Sequence, residues 1–220
     1  MDKNLNEILD KRIERTMRAL EENQMGAYFV ARKEQVVPKV QELLHAGDRV
    51  AAGGSMSLLE SGVQEHLKCG RYDFLDRSTP GLSKDEIRRI QLESFGADAY
   101  LCSVNAVTEK GELYLVDGNG NRTAAVIFGP TRVILVVGVN KIVSDLESAV
   151  RRVKETAAPA NCMRLDCPTY CREKGVCAGI NGGMTAGCSE GRICCDYVVL
   201  ARQRIPGRIQ VILVGEALGY

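Results

Sequence analysis

The stretch Asp117-Gly-Asn-Gly-Asn-Arg122 is a polar, glycine-bearing turn between a strand-like run and Thr123-Ala-Ala-Val126, which can start a helix. Backbone N–H groups at a helix start point outward and favour anions. Asp117, Gly118, Asn119, Asn121 and Arg122 are therefore expected together at a strand end, where open α/β sheets place their ligands. Composition alone allows a bland tight turn equally well. Around this turn, Ala97–Ser103 ends in the small polar residues Ser103 and Asn105, and Lys141 follows the apolar run Val133–Val137. Arg122 or Lys141 would pair with an anionic substrate, Arg with the better bidentate geometry. Glu109 or Asp117 is expected as general base or nucleophile.

A second glycine turn, Gly53-Gly54-Ser55, follows the strand-like Arg49–Ala52. Ser57 and Glu60 fit a capping box for the helix beyond it. Strand, glycine turn and capped helix suit an anion or carboxylate, and the same glycines equally allow close strand–helix packing.

Residues 162 to 195 hold seven of the nine cysteines. An odd count in the reducing cytosol expected for this chain argues for metal or thiol chemistry over a disulfide framework. Thiolates grouped this way select zinc or an iron–sulfur cluster. The spacing matches no standard zinc-finger or ferredoxin pattern, and free thiols on a flexible loop are the alternative. Cys69 and Cys102 lie outside the group and read as buried fillers. His45 and His66 read as surface or packing residues, and no Ser–His–Asp set is legible.

These groups need a scaffold. Leu5, Ile8, Leu9, Ile13, Met17 and Leu20 repeat at helical spacing up to Asn23, so residues 1–24 read as an amphipathic helix. Strand-like and helical runs then alternate. Val107–Val116 reads as two strands around Glu109-Lys110-Gly111, with Gly111 supplying a positive φ. Ser83 with Glu86 and Ser144 with Glu147 form further capping boxes, the latter opening a helix that Pro159 ends. Tyr197–Arg202 and Ile209–Val214 read as strands joined by a turn at Pro206-Gly207. The pattern predicts an α/β fold, a mostly parallel sheet flanked by helices, in a single domain over 1–220 with a Cys-rich loop at 162–195. The formal charge of +1 gives no electrostatic footprint for nucleic acid. No run of 18 apolar residues is present, and a cytoplasmic protein without membrane insertion is expected.

The segments Asn105-Ala-Val-Thr-Glu109, Asp117–Arg122, Phe128-Gly-Pro130, Gly138-Val-Asn-Lys-Ile142, Gly53-Gly-Ser-Met-Ser57 and Glu216-Ala-Leu-Gly-Tyr220 resemble the signature of the lactate-utilisation (LUD) domain family, single-domain cysteine-bearing type. The resemblance implies a fold similar to sugar-phosphate isomerases, CoA transferases and formyltetrahydrofolate cycloligases. It implies a role in lactate or related organic-acid metabolism, with redox subunits of a lactate-oxidation system as partners. Gly53, Gly54, Ser55, Asn105, Gly118, Asn119, Asn121, Arg122 and Lys141 would then bind a small anionic metabolite. Similar sequences also imply Cys171, Cys177, Cys188 and Cys194 as metal ligands, between the Asn161-Cys-Met-Arg164-Leu165 lead and Arg192-Ile-Cys194. The redox association favours an iron–sulfur cluster, with zinc the alternative. A second functional class stays open: an electron-transfer or assembly subunit without catalysis of its own. A third is a metal-bearing regulator.

Overall fold

The computed structural model of the protein describes residues 2–220. The chain opens with helix α1 (Lys3–Glu22), whose first N–H groups, on Asn4 and Leu5, donate to the Asp2 carboxylate. Ile13, Thr16 and Leu20 bury its inner face. The apolar stripe outruns the core: Leu5 and Ile8 at the first turns remain 55% and 62% exposed.

There follow β1 (Gly26–Val30), α2 (Val36–Leu43), β2 (Arg49–Ala52), α3 (Met56–Glu60), α4 (Val63–His66), β3 (Asp73–Leu75), α5 (Lys84–Glu93) and β4 (Ala99–Cys102). The middle of the chain supplies β5 (Ala106–Thr108), β6 (Leu113–Asp117), α6 (Asn121–Phe128), β7 (Arg132–Gly138) and β8 (Ile142–Val143). The last third holds α7 (Leu146–Arg152), α8 (Ala158–Arg164), α9 (Tyr170–Lys174), β9 (Asp196–Leu200) and β10 (Ile209–Val214).

Six strands form one sheet in the order β1-β10-β7-β4-β2-β3, and every neighbouring pair is parallel. Side chains alternate across it, as the strand period of two requires. Ala51, Tyr100, Leu135 and Val211 face a core shared with α1 and α6. Val50, Leu101, Ile134 and Ile212 face a second core shared with α2, α3 and α4. This is the expected parallel sheet covered on both faces. Because all six strands run one way, their carboxyl ends meet at one edge, bringing Gly53, Ser103 and Gly138 together.

A second, mixed sheet in the order β8-β5-β6-β9 was not legible beforehand. Its Val107, Leu113 and Leu115 join the α1 core, while Ala106, Tyr114 and Val116 pack against Ala149 and Val153. The β5–β6 hairpin forms as expected, with Gly111 at φ +76°. A Cβ there would stand 2.6 Å from the Ala19 carbonyl carbon, so glycine also lets the hairpin lie against α1.

Strands β9 and β10 form as read, with Gly207 at φ +72° in the turn between them, and they lie in different sheets: β10 inserts between β1 and β7, while half-buried β9 pairs with β6. Three local expectations are corrected. The N-cap of α3 is Ser55, accepting from Leu58 N–H at 3.4 Å, so Ser57 sits inside the helix and turns inward. Asp145, not Ser144, caps α7, because its carboxylate accepts from Ser148 N–H at 2.8 Å. Pro159 does not end the helix. A π-helical turn, Val153–Ala157, intervenes, and Pro159 falls in the first turn of α8, where its missing N–H leaves no donor unused. The Ser83–Glu86 box forms as read.

Candidate functional site

A cavity of about 420 Å³ opens at the carboxyl edge of the parallel sheet. That lies within the roughly 300–1,000 Å³ of small-molecule sites. Gly54, Ser55, Asn105, Asp117, Gly118, Asn119, Asn121, Arg122 and Lys141 all line it, so most of the residues singled out in the sequence come together. Gly53 lines an adjoining hollow of about 300 Å³ that shares Gly54, Ser55, Arg77 and Arg164 with the first. Gly54 leaves room for the Arg77 guanidinium, whose Nη2 would stand 2.6 Å from a Cβ there.

Glu109 does not join this group. Its carboxylate accepts from Arg12 Nε at 2.7 Å and from Arg15 Nη2 at 2.6 Å. It lies at the hairpin end beside α1, and the Glu109 expectation as base or nucleophile is corrected: the hairpin carries it away from the cavity.

Asp117 and Arg122 line the cavity, yet most of their hydrogen-bonding capacity is used inside the protein. Asp117 Oδ1 accepts from Arg122 Nε at 3.1 Å, and Oδ2 accepts from Thr123 N–H at 2.9 Å. Asp117 thus occupies the α6 N-terminus, where the sequence reading placed a ligand anion. Arg122 also donates to the Ser103 carbonyl at 3.0 Å, the Val116 carbonyl at 2.7 Å and Asn105 Oδ1 at 3.0 Å. Asn105 Oδ1 in turn accepts from Val116 N–H at 2.8 Å. This clamp fixes β4, the hairpin and α6 relative to one another.

Lys141 is the unusual group of the site. It follows β7 in a single 3₁₀ turn, Val139–Lys141, and is only 2% exposed. Its Nζ donates to Ser57 Oγ at 2.9 Å and to Ser103 Oγ at 3.0 Å. Ser57 Oγ donates onward to the Leu218 carbonyl at 3.2 Å. Burial, with Arg152 and Arg122 nearby, pushes the Lys141 pKa down to about 7. Among the described residues neither Lys141 nor Arg77 forms an ion pair.

The cavity walls carry the basic side chains Arg77, Arg122, Lys141, Arg164 and Arg192 against one acidic side chain, Asp117. Sequence reasoning missed Arg77, Arg164 and Arg192 and read Ser57 as a cap. Nothing in the local pattern of Arg77 marks it.

The cysteine segment forms the neighbouring wall. Gly118 lets it approach: a Cβ there would stand 2.9 Å from the Ile193 carbonyl oxygen. Cys171, Cys177, Cys188 and Cys194, the four expected ligands, all line one small cavity, and Cys162 joins them. Cys162, part of the cysteine group but not of the expected ligand set, lies four residues after buried Ala158, on the same face of α8. Cys162 and Cys171 have their sulfurs 3.4 Å apart. Burial pushes the Cys162 thiol up to about 12 and the Cys194 thiol up to about 11, with neighbouring cysteines adding to both. No group of three or more His, Cys, Asp or Glu side chains among the described residues stands in a geometry that would hold a metal ion as placed.

This segment has other anchors. Lys154, 4% exposed, donates to the carbonyls of Gly179, Gly182 and Gly183 at 2.6, 3.0 and 2.6 Å. Arg192 donates to the carbonyls of Cys194 and Thr185, each at 2.7 Å. The thiol cavity and the larger cleft share Val153, Ala158, Arg192, Ile193 and Cys194 in their walls.

Among known proteins, a crystal structure of a DUF162 family protein from Deinococcus radiodurans is similar, with TM-score 0.54 and 19% identity over 94% of this chain and 98% of that one. At that identity the likeness shows the fold alone. The crystal structure of eIF2B beta from Chaetomium thermophilum aligns at TM-score 0.37 and 17% identity, over 55% of this chain and 42% of that one. No curated protein matches the chain. The model of the LUD domain matches residues 13–214, which include both glycine turns, Lys141 and the whole cysteine segment. The chain belongs to the LUD domain family.

Proposed function

We propose that the protein serves lactate or related organic-acid metabolism and binds a small organic anion in the cleft at the carboxyl edge of its parallel sheet. The observation that carries this reading is the charge of the walls, four arginines and Lys141 against the one acidic side chain, Asp117. With Arg122, Arg192 and Lys141 engaged by the protein, Arg77 and the donors of Arg164 beyond its bond to Asn161 Oδ1 are the groups left to meet the anion. Gly54, Ser55, Gly118, Asn119 and Asn121 supply polar and backbone groups around it. The partners under this reading are the metabolite and the redox subunits of a lactate-oxidation system in the cytoplasm. No helix among the described residues is long and apolar enough to cross a membrane.

Calorimetric titration with L-lactate tests the reading. Removing one charge-assisted contact costs about 1.5–3 kcal/mol, so Arg77→Ala should weaken binding roughly tenfold or more. Unchanged affinity in both Arg77→Ala and Arg164→Ala, or no binding by the native protein, overturns it.

A second reading rests on the five thiols around one cavity: a thiolate-bound metal centre beside the cleft. Cys162, Cys171, Cys177, Cys188 and Cys194 would supply its ligands, and soft sulfur donors suit zinc or iron–sulfur. When bound, such a centre would supply order to the segment or a site for one-electron transfer. Metal analysis of anaerobically purified native protein, Cys162→Ser and Cys171→Ser decides it. Metal at one ion per chain that falls in both variants supports zinc, and several irons per chain with visible absorption support the cluster.

A further inference from the structure

Ser57, Ser103 and Lys141 form a set that anion binding alone does not require. Three polar side chains lie together at the carboxyl ends of the central strands, all at most 3% exposed and with no carboxylate among them. Ser57 and Lys141 come from segments 84 residues apart, and Lys141 and Ser103 from segments 38 apart. Ser103 and Lys141 line the cleft, whereas Ser57 stands behind them.

We propose that Ser103 is an acyl-accepting nucleophile, with Lys141 as its base and Ser57 as the residue that positions the amine. The substrate is an ester or thioester of a small anionic carboxylic acid. This rests on the reading of the cleft as the ligand site and adds a reaction to it.

The hydrogen bonds give the set a direction. Ser57 donates to the Leu218 carbonyl, so its oxygen is left to accept from Lys141. A neutral amine then has its lone pair free for the hydroxyl of Ser103, whose alternative acceptor, the Val104 carbonyl, is at the long distance of 3.4 Å. The charged and titratable groups around Lys141 are Arg152 and Arg122, which favour the neutral amine, and Glu60 and Cys102, which oppose them. Burial and the two arginines prevail, so a substantial share of Lys141 is neutral near neutral pH. Serine–lysine pairs are a known variant of the serine–histidine arrangement.

In the first half-reaction Ser103 Oγ attacks the acyl carbon and its proton passes to Lys141 Nζ. The carbon–sulfur or carbon–oxygen bond breaks, and the leaving thiolate or alkoxide takes that proton. In the second, water attacks the acyl-serine and gives its proton to Lys141. Ser103 Oγ leaves and regains the proton, so no oxidant or reductant is needed. Arg122, whose Nη1 donates to the Ser103 carbonyl, holds a positive charge close to the nucleophile.

Incubation with a fluorophosphonate, followed by intact-mass and peptide mass spectrometry, tests the proposal. We expect one adduct, on Ser103, forming faster as pH rises from about 6 to about 8 as Lys141 loses its proton. It should be absent in Ser103→Ala and at least tenfold slower in Lys141→Met. The native protein's adduct and pH profile stand even if Lys141→Met fails to fold. No adduct on Ser103, an adduct that persists in Ser103→Ala, or a rate independent of pH overturns the proposal. Titration with L-lactate separates the two readings. Binding without a Ser103 adduct removes the nucleophile and keeps the anion site; a Ser103 adduct without binding supports the nucleophile and removes the lactate reading.

Discussion

Arg122 Nε stands 3.1 Å from Asp117 Oδ1, and each of the two side chains is 14% exposed. The same guanidinium holds the carbonyls of Ser103 and Val116, and the same carboxylate holds the first turn of α6. A residue that reads as a substrate clamp is thus first a clamp on the fold.

The measurable consequence is stability. Arg122→Ala leaves Asp117 without its cation and two carbonyls without their donor. Breaking a largely buried pair from one side costs about 3–5 kcal/mol. The urea midpoint of Arg122→Ala should therefore fall markedly. An Arg122→Ala variant with native stability that has lost only anion binding would return the residue to a pure ligand role.

Glu109 gives the opposite expectation. It ties the hairpin to Arg12 and Arg15 of α1, and its side chain is 21% exposed. Partly exposed pairs of this kind contribute about 0–1 kcal/mol. Glu109→Gln should lower stability by no more than about 1 kcal/mol and leave L-lactate affinity unchanged. A loss of binding in Glu109→Gln at unchanged stability contradicts its placement away from the cleft.

These two residues show what the sequence could carry. Strand ends are legible because β6 and β7 are apolar runs, so Asp117 and Asn121 after the first and Lys141 after the second could be assigned to one edge. Which side chain at that edge meets ligand and which meets protein depends on contacts across long separations. Glu109 meets Arg12 across 97 residues, and Lys141 meets Ser57 across 84. The second sheet was hidden for the same reason, since β9 pairs with β6 across the entire cysteine segment. The cysteine grouping was legible from density alone. That Cys162 would stand with the four expected ligands was not, because it belongs to a helix that continues past Pro159.

Lys154 changes the expectation for the glycine-rich part of that segment. Three carbonyls from Gly179 to Gly183 converge on its buried amine, so the loop has an anchor besides any thiolate-bound ion. Lys154→Met should leave the cooperative unfolding of the sheet domain largely intact, while limited proteolysis between Ala178 and Gly187 accelerates tenfold or more. Equal cleavage rates in the native protein and the variant, both free of metal, would show that the ammonium does not hold the loop.

The pH dependence of stability isolates Lys141. Its ordinary pKa of 10.5 applies to the unfolded chain, and burial lowers the folded value to about 7. Between those values the unfolded state binds the extra proton, so this group makes stability rise with pH. Above the unfolded value both states are neutral and nothing is lost. Below the folded value both are protonated, and the fold carries the whole cost of the buried charge. Lys141→Met removes that cost. The variant's advantage over the native protein should therefore be greatest near pH 6 and shrink steadily towards pH 10. Urea unfolding of both proteins at matched pH values over about pH 6–10 gives the difference directly, free of contributions the two share. A constant difference would mean that the Lys141 amine stays charged in its pocket throughout, and its service as a base to Ser103 would fall with it.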